Sequence, residues 1–162
     1  MMKRYLVLIV LVFSSLSLYA QHEGNTTKGL EEEKPVIEII TSGIYSSSLK
    51  DDENAYGTEI HVTYWQNEEW GGGLSYTAKF EEEETLHDIA LLGSWNVTRW
   101  MTLNVGPNFG LSGEERDFEV SAYAEAEGNI RLSEWFHFGP ISGIILGENS
   151  EIILGIHLGF EF

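Results

Sequence analysis

The last twelve residues, Glu151-Ile152-Ile153-Leu154-Gly155-Ile156-His157-Leu158-Gly159-Phe160-Glu161-Phe162, decide the fold. Ile152, Leu154, Ile156, Leu158, Phe160 and Phe162 share one parity, and Gly155, His157, Gly159 and Glu161 share the other. A strand sends successive side chains to opposite faces, so this stretch is a strand with one apolar and one polar face. The alternation recurs upstream. Phe118, Val120, Ala122, Ala124 and Ala126 oppose Glu119, Ser121, Tyr123, Glu125 and Glu127. Met101, Leu103, Val105, Pro107 and Phe109 oppose Thr102, Asn104, Gly106 and Asn108. It is least regular near the start, where Ile37, Ile39 and Ile40 disturb the parity.

Punctuation between such stretches counts the strands. Trp65-Gln-Asn-Glu-Glu-Trp70, Trp95-Asn-Val-Thr-Arg-Trp100 and Ile130-Arg-Leu-Ser-Glu-Trp135 each place a bulky apolar residue five positions before a tryptophan, with polar residues between. They read as hairpin turns. Four breaks of another kind alternate with them: Ser47 to Ala55, Glu81 to Thr85, Ser112 to Asp117 and Gly147 to Ser150, together rich in acidic residues. The division predicts eight strands, at 36–46, 56–66, 70–80, 86–96, 100–110, 118–128, 135–146 and 151–162. In that division Trp65 and Trp95 fall on opposite faces, although they hold equivalent places in the repeat.

The chain before Val36 reads as targeting. Met1-Met2-Lys3-Arg4 is a basic start, Tyr5 to Phe13 is apolar, and Ser14 to Ala20 supplies small residues, the three parts of a secretory signal peptide. The apolar run is shorter than the roughly 20 residues of a membrane-spanning helix. Leu18 is large for its place before the expected cleavage after Ala20, which keeps an uncleaved anchor as the alternative. Residues 21–35 are almost without apolar side chains and are expected to be a flexible tail. The predicted organisation is a signal peptide at 1–20, a tail at 21–35 and a barrel at 36–162.

Composition removes whole classes of function. There is no cysteine, hence no disulfide, thiolate metal site, thiol nucleophile or lipidated cysteine. A net charge of −17 argues against nucleic acid as a partner. The chain is too apolar and aromatic for an acidic disordered tail.

No segment after the leader is long and apolar enough to cross a bilayer as a helix, so a spanning chain must be a closed barrel. Strand patterning alone fits two barrels. A membrane barrel turns its apolar face to lipid, whereas a soluble lipocalin-like barrel turns it inward. Two features favour the membrane. Aromatics gather near strand ends (Trp65, Trp70, Trp95, Trp100, Trp135, Phe136, Phe138, Phe160, Phe162), as an interfacial girdle requires. The loops are strongly acidic and the turns nearly balanced, so the two rims differ in charge.

The chain resembles the small eight-stranded outer-membrane barrels of Gram-negative bacteria, the OmpA-like and OmpX-like group within the porin-like proteins. The match runs from Val36 to Phe162, and its most specific mark is the ending Leu158-Gly159-Phe160-Glu161-Phe162. The Tyr19-Ala20-Gln21 junction and the glycine- and aromatic-rich style are similar to Bacteroidota envelope proteins. The resemblance implies an all-β antiparallel transmembrane barrel in the outer membrane, with short periplasmic turns and extracellular acidic loops. It also implies lipid and lipopolysaccharide as surroundings, and a last strand read by the barrel-insertion machinery. Architecture does not fix function.

Chemistry is sparse. A barrel of eight strands is only wide enough for its own side chains, so an open porin channel is not expected. Glu38, Glu59, Lys79, Asp88, Glu119, Glu125 and Glu127 fall on the inward parity, and one lysine cannot neutralise six carboxylates. A hydrated structural network is the expected arrangement, with a cation-leaking interior as the alternative. His61, His137 and His157 share the inward parity. His61 and His157 flank the first strand, within reach of Glu38 or Glu59. Imidazole with carboxylate is a zinc or copper donor set, but no short ligand spacing supports one here, so no metal ligand is assigned.

Among barrels of this kind, lipid A deacylases use a His-x-Ser pair. His137-Phe138-Gly139 and His157-Leu158-Gly159 lack the serine. No catalytic or cofactor-binding residue is assigned, and an enzyme is not expected. Clustered carboxylates in the loops are candidate ligands for Ca²⁺ or Mg²⁺, bridging to anionic surface sugars. Gly71-Gly72-Gly73 lacks the Lys-Ser/Thr ending of a phosphate loop and is read as relief for barrel curvature. The expected function is non-enzymatic: envelope structure or surface interaction. A narrow ion or small-solute pathway is the first alternative, and a soluble periplasmic barrel for an apolar ligand is the second.

Overall fold

In the computed structural model, residues 36–50, 53–81, 84–111 and 117–162 are described. The predicted signal peptide, the tail at 21–35 and parts of three acidic loops lie outside them. The strands are β1 (Val36–Ser48), β2 (Asn54–Trp65), β3 (Trp70–Phe80), β4 (Thr85–Thr98), β5 (Met101–Gly110), β6 (Glu119–Gly128), β7 (Ile130–Arg131), β8 (Phe136–Leu146) and β9 (Glu151–Glu161). β7 is a two-residue continuation of β6 beyond Asn129, where Ile130 and Arg131 pair with Phe138 and His137. The barrel therefore has eight staves, at the eight positions expected from sequence. β1 and β2 extend further toward their shared loop than alternation indicated, because Ser46 and Ser47 pair in register with Ala55 and Asn54.

Each stave is antiparallel to its chain neighbours. The first and last close the sheet through Glu38↔Glu161 to Ser48↔Glu151. Closure leaves no unpaired edge, the condition for strands to cross a membrane. Side-chain hydrogen bonds set the turns. Asn67 Oδ1 accepts from the amides of Glu69 and Trp70 at 2.9 and 2.8 Å. Asn96 stands at a register shift between β4 and β5, where its Nδ2 donates to the Glu68 carbonyl and its Oδ1 accepts from Thr102 Oγ1.

The apolar face points outward. Ile60, Val62, Leu74, Leu91, Val105, Val120, Ile156 and Leu158 are exposed, while Ser42, Glu59, His61, Ser75, Asn104, Glu125 and His157 are buried. This is the reverse of a soluble lipocalin-like barrel, so that alternative falls: in water the outer wall would be a continuous apolar patch. The irregular parity of β1 resolves simply. Ile37 and Ile39 face out, and Ile40 faces in at 2% exposure.

The aromatic girdle needs one correction. Trp70 and Trp95 stack on the outside at 5.4 Å, and Trp135, Phe136 and Phe160 form a second outer cluster. Trp65 instead points into the barrel, 8% exposed, because Glu38 accepts its indole N–H at 2.8 Å. Gly71 is its cross-strand partner, and a Cβ there would touch the indole ring. This close approach, rather than curvature alone, requires a glycine at the start of the Gly71–Gly73 run.

Candidate functional site

The barrel interior is built in tiers. At the loop end lies a cavity of about 470 Å³, lined by Glu53, Glu81, Glu84, Asp117, Glu119, Glu148 and Glu151 and, among the described residues, by no basic one. Lys79 is buried beneath it, 3.1 Å from Asp88 Oδ2 and 2.7 Å from Glu151 Oε1. Glu119, expected inside, stands at this mouth and accepts from the amides of Glu148 and Asn149. Outside the strands, at the same mouth, burial holds the Glu81 carboxyl above its ordinary range. Nearby Glu53, Glu151 and Glu84 reinforce that shift against the opposing pull of Lys79.

The interior also holds an apolar cluster of Ile44, Ala90, Leu92, Tyr123, Ile141, Ile145 and Ile153, all pointing inward. On β9 Ile153 lies between Glu151 and His157, and on β6 Tyr123 lies between Ser121 and Glu125. Elsewhere the cluster stands beside polar groups, Ala90 pairing with Ser75 and Ile141 with Glu127. The cluster draws on five staves; β2, β3 and β5 contribute none of it.

The next tier holds Glu59, His61, Glu125 and Glu127. Glu59 Oε1 accepts from Ser75 Oγ at 2.7 Å, Thr77 Oγ1 at 3.0 Å and Tyr123 Oη at 3.1 Å. His61 Nε2 is 2.9 Å from the same oxygen. On the other side of the ring, Nδ1 is 3.4 Å from Glu127 Oε1 and 3.9 Å from Glu125 Oε1. Asn104 Nδ2 donates to Glu127 at 2.8 Å and to Glu125 at 3.5 Å. Three carboxylates thus surround one imidazole, and the only lysine of the predicted inward set is engaged by Asp88 and Glu151 beneath the mouth.

Nearest the turn end, His137 lies 3.3 Å from Glu38 and 3.5 Å from Glu161. Arg131 holds Glu161 at 2.7 Å. The two His-x-Gly tripeptides pair antiparallel, so that His137 is opposite Gly159 and His157 opposite Gly139. The two imidazoles meet edge to face at 5.3 Å.

Of the residues singled out in the sequence, all seven inward candidates except Glu119 are deeply buried, as are His61, His137 and His157. His61 joins Glu59, as expected, but Glu38 belongs with His137 instead. Parity alone did not single out Glu161, Glu151 or Tyr123. Glu161 shares the parity of His157, and that signal was there to be used. Glu151 and Tyr123 gain their roles only from neighbours across the barrel.

No family model matches the chain, and no curated protein matches it either. Solved structures do. The N-terminal β-barrel domain of Pseudomonas aeruginosa OprF superposes with a TM-score of 0.57 at 16% identity, covering 77% of this chain and 97% of that one. Yersinia pestis Ail, the attachment invasion locus protein, gives 0.54 at 14%, covering 80% and 99%. Ail has also been solved in complex with the heparin analogue sucrose octasulfate; that structure gives 0.53 at 15%, covering 79% and 97%. At such identities the likeness is one of fold, and with the outward apolar wall and the closed sheet it makes this chain a small eight-stranded transmembrane β-barrel of the outer-membrane type.

Proposed function

We propose that the protein resides in the bacterial outer membrane as a closed, non-enzymatic barrel that presents an acidic mouth to the exterior, with its turns in the periplasm. The observation that carries this reading is the apolar cluster of Ile44, Ile141, Ile145 and Ile153 with Tyr123, which fills part of the barrel interior. Ions leave water only at high cost, and an apolar plug in a narrow lumen is a barrier to them. Envelope structure or surface interaction is then the role that remains. The mouth would select partners by charge. A polyanion such as the one seen with Ail meets like charge here, so a cationic partner, or an anionic sugar bridged by Ca²⁺ or Mg²⁺, fits better.

One feature favours the second reading, a narrow pathway. The inward residues of β2 and β3 are polar from Lys79 through Thr77 and Ser75 to Glu59 and His61, bypassing the apolar cluster on one side. Conductance of the refolded barrel in planar bilayers separates the two. The closed reading expects no channel steps, from either the unsubstituted chain or Glu125→Ala. Steps whose size changes in Glu125→Ala would replace it with the pathway. Fractionation with gels run with and without boiling checks the location: an outer-membrane band that shifts on heating is expected.

A further inference from the structure

We infer that Glu59, His61 and Glu125 form a buried site for a single divalent transition-metal ion of the zinc type, with Glu127 beside it. One donor atom from each of the three lies within 4.8 Å of the others. Two donors bound to one zinc lie roughly 3.3–4 Å apart, so small side-chain shifts close the site. The donor set is imidazole plus carboxylates, which suits zinc-like ions, whereas Ca²⁺ and Mg²⁺ prefer oxygen alone.

Clustering is not the only ground. Glu59 Oε2 and Glu125 Oε2 are buried and receive no hydrogen bond from any described residue. Neither ring nitrogen of His61 makes an aligned hydrogen bond, despite the close carboxylates. His157 is fully buried, and neither of its nitrogens has a hydrogen-bond partner among the described residues. Buried carboxylate oxygens without donors are costly, and a cation removes that cost for several of them at once.

Charge balance points the same way. Lys79 is engaged by Asp88 and Glu151, so among the described residues the tier has three carboxylates and no lysine or arginine. The trio Glu38, His137 and Glu161 is the weaker site. Arg131 already neutralises Glu161, and the Trp65 indole donates to Glu38. Short spacing joins only Glu59 and His61, two residues apart on β2, and the third donor, Glu125, comes from β6. Glu59, His61 and Glu125 are all buried, so the ion is captured as the barrel closes.

The test is to unfold the full chain, remove metal with chelator, and refold it into detergent with Co²⁺, whose visible spectrum reports its ligands. The expected result is one retained ion per chain with nitrogen–oxygen bands of low symmetry, replaceable by Zn²⁺ on a second refolding. Ion-loaded barrel should unfold at higher temperature than barrel refolded without metal. Glu125→Gln should lose the bands and the thermal shift. Glu148→Gln at the mouth and Glu161→Gln at the turn end should keep both. X-ray absorption of the zinc-loaded unsubstituted chain gives a reading that needs no variant: one imidazole with carboxylate oxygens is expected. No uptake, an all-oxygen shell, undiminished binding by Glu125→Gln, or loss of the ion in Glu161→Gln would each overturn the site.

Discussion

Gly159 lies beneath the His137 imidazole, and a Cβ built there runs into the ring. His137 is fully buried with carboxylates on both sides, so it has little room to move away. Gly159→Ala is therefore expected to destabilise the barrel by about 1–3 kcal/mol, the usual cost of forcing extra volume into a packed site. Gly43→Ala adds a methyl where nothing stands within 4 Å, and it should change stability by no more than about 0.5 kcal/mol. Urea unfolding in detergent, read by tryptophan fluorescence, compares the two. Trp65 gives a second expectation at this scale. Trp65→Phe keeps most of the inward ring but removes the N–H that Glu38 accepts, leaving a buried carboxylate oxygen short of a donor. A loss of about 1–3 kcal/mol should follow in the same assay.

β3 shows how one strand serves two environments. Its outward residues, Leu74 and Tyr76 among them, meet lipid, and its inward residues, Ser75, Thr77 and Lys79, supply the polar wall. Lys79 closes the series as counter-ion to Asp88 on β4 and Glu151 on β9. Lys79→Met leaves two carboxylates without their cation and should cost about 3–5 kcal/mol, seen as a lowered urea midpoint. Adding Asp88→Asn to Lys79→Met should recover part of that loss, because one of the two stranded charges is gone. The three tryptophan-marked turns teach a related lesson at the level of elements. Their common spacing located every turn, yet Trp65 faces in and Trp95 faces out. A repeat in sequence marks where strands end; the partner waiting on each side, Glu38 or lipid, decides what the tryptophan does.

At the scale of the whole molecule, seven carboxylates share one mouth, with no basic residue lining it among the described residues. Glu81 carries the consequence most directly, because burial and its acidic neighbours raise its folded pKa above the unfolded value. Such a group weakens the fold as pH rises. The penalty is absent below the unfolded carboxylate range and complete above the folded pKa. Glu81→Gln is therefore expected to raise the thermal midpoint at neutral pH and to leave it unchanged in acid below that range. Melts of both proteins across pH provide the check. Added salt should shrink the neutral-pH difference, since exposed charges are screened.

The sequence by itself determined the number of staves, where each turn falls and which residues look inward, because strand periodicity is local and each residue's face follows from its neighbours one and two positions away. It also determined that the inner face is too acidic for its single inward lysine. Which carboxylate meets which imidazole was decided only when the sheet closed. Glu59 reaches Tyr123 across 64 residues of chain, and Lys79 reaches Glu151 across 72. Those partners are set by the barrel's closure and stagger, a property of all eight staves together. For that reason the polar interior was legible from the sequence, while the ion site within it belongs to the tertiary structure.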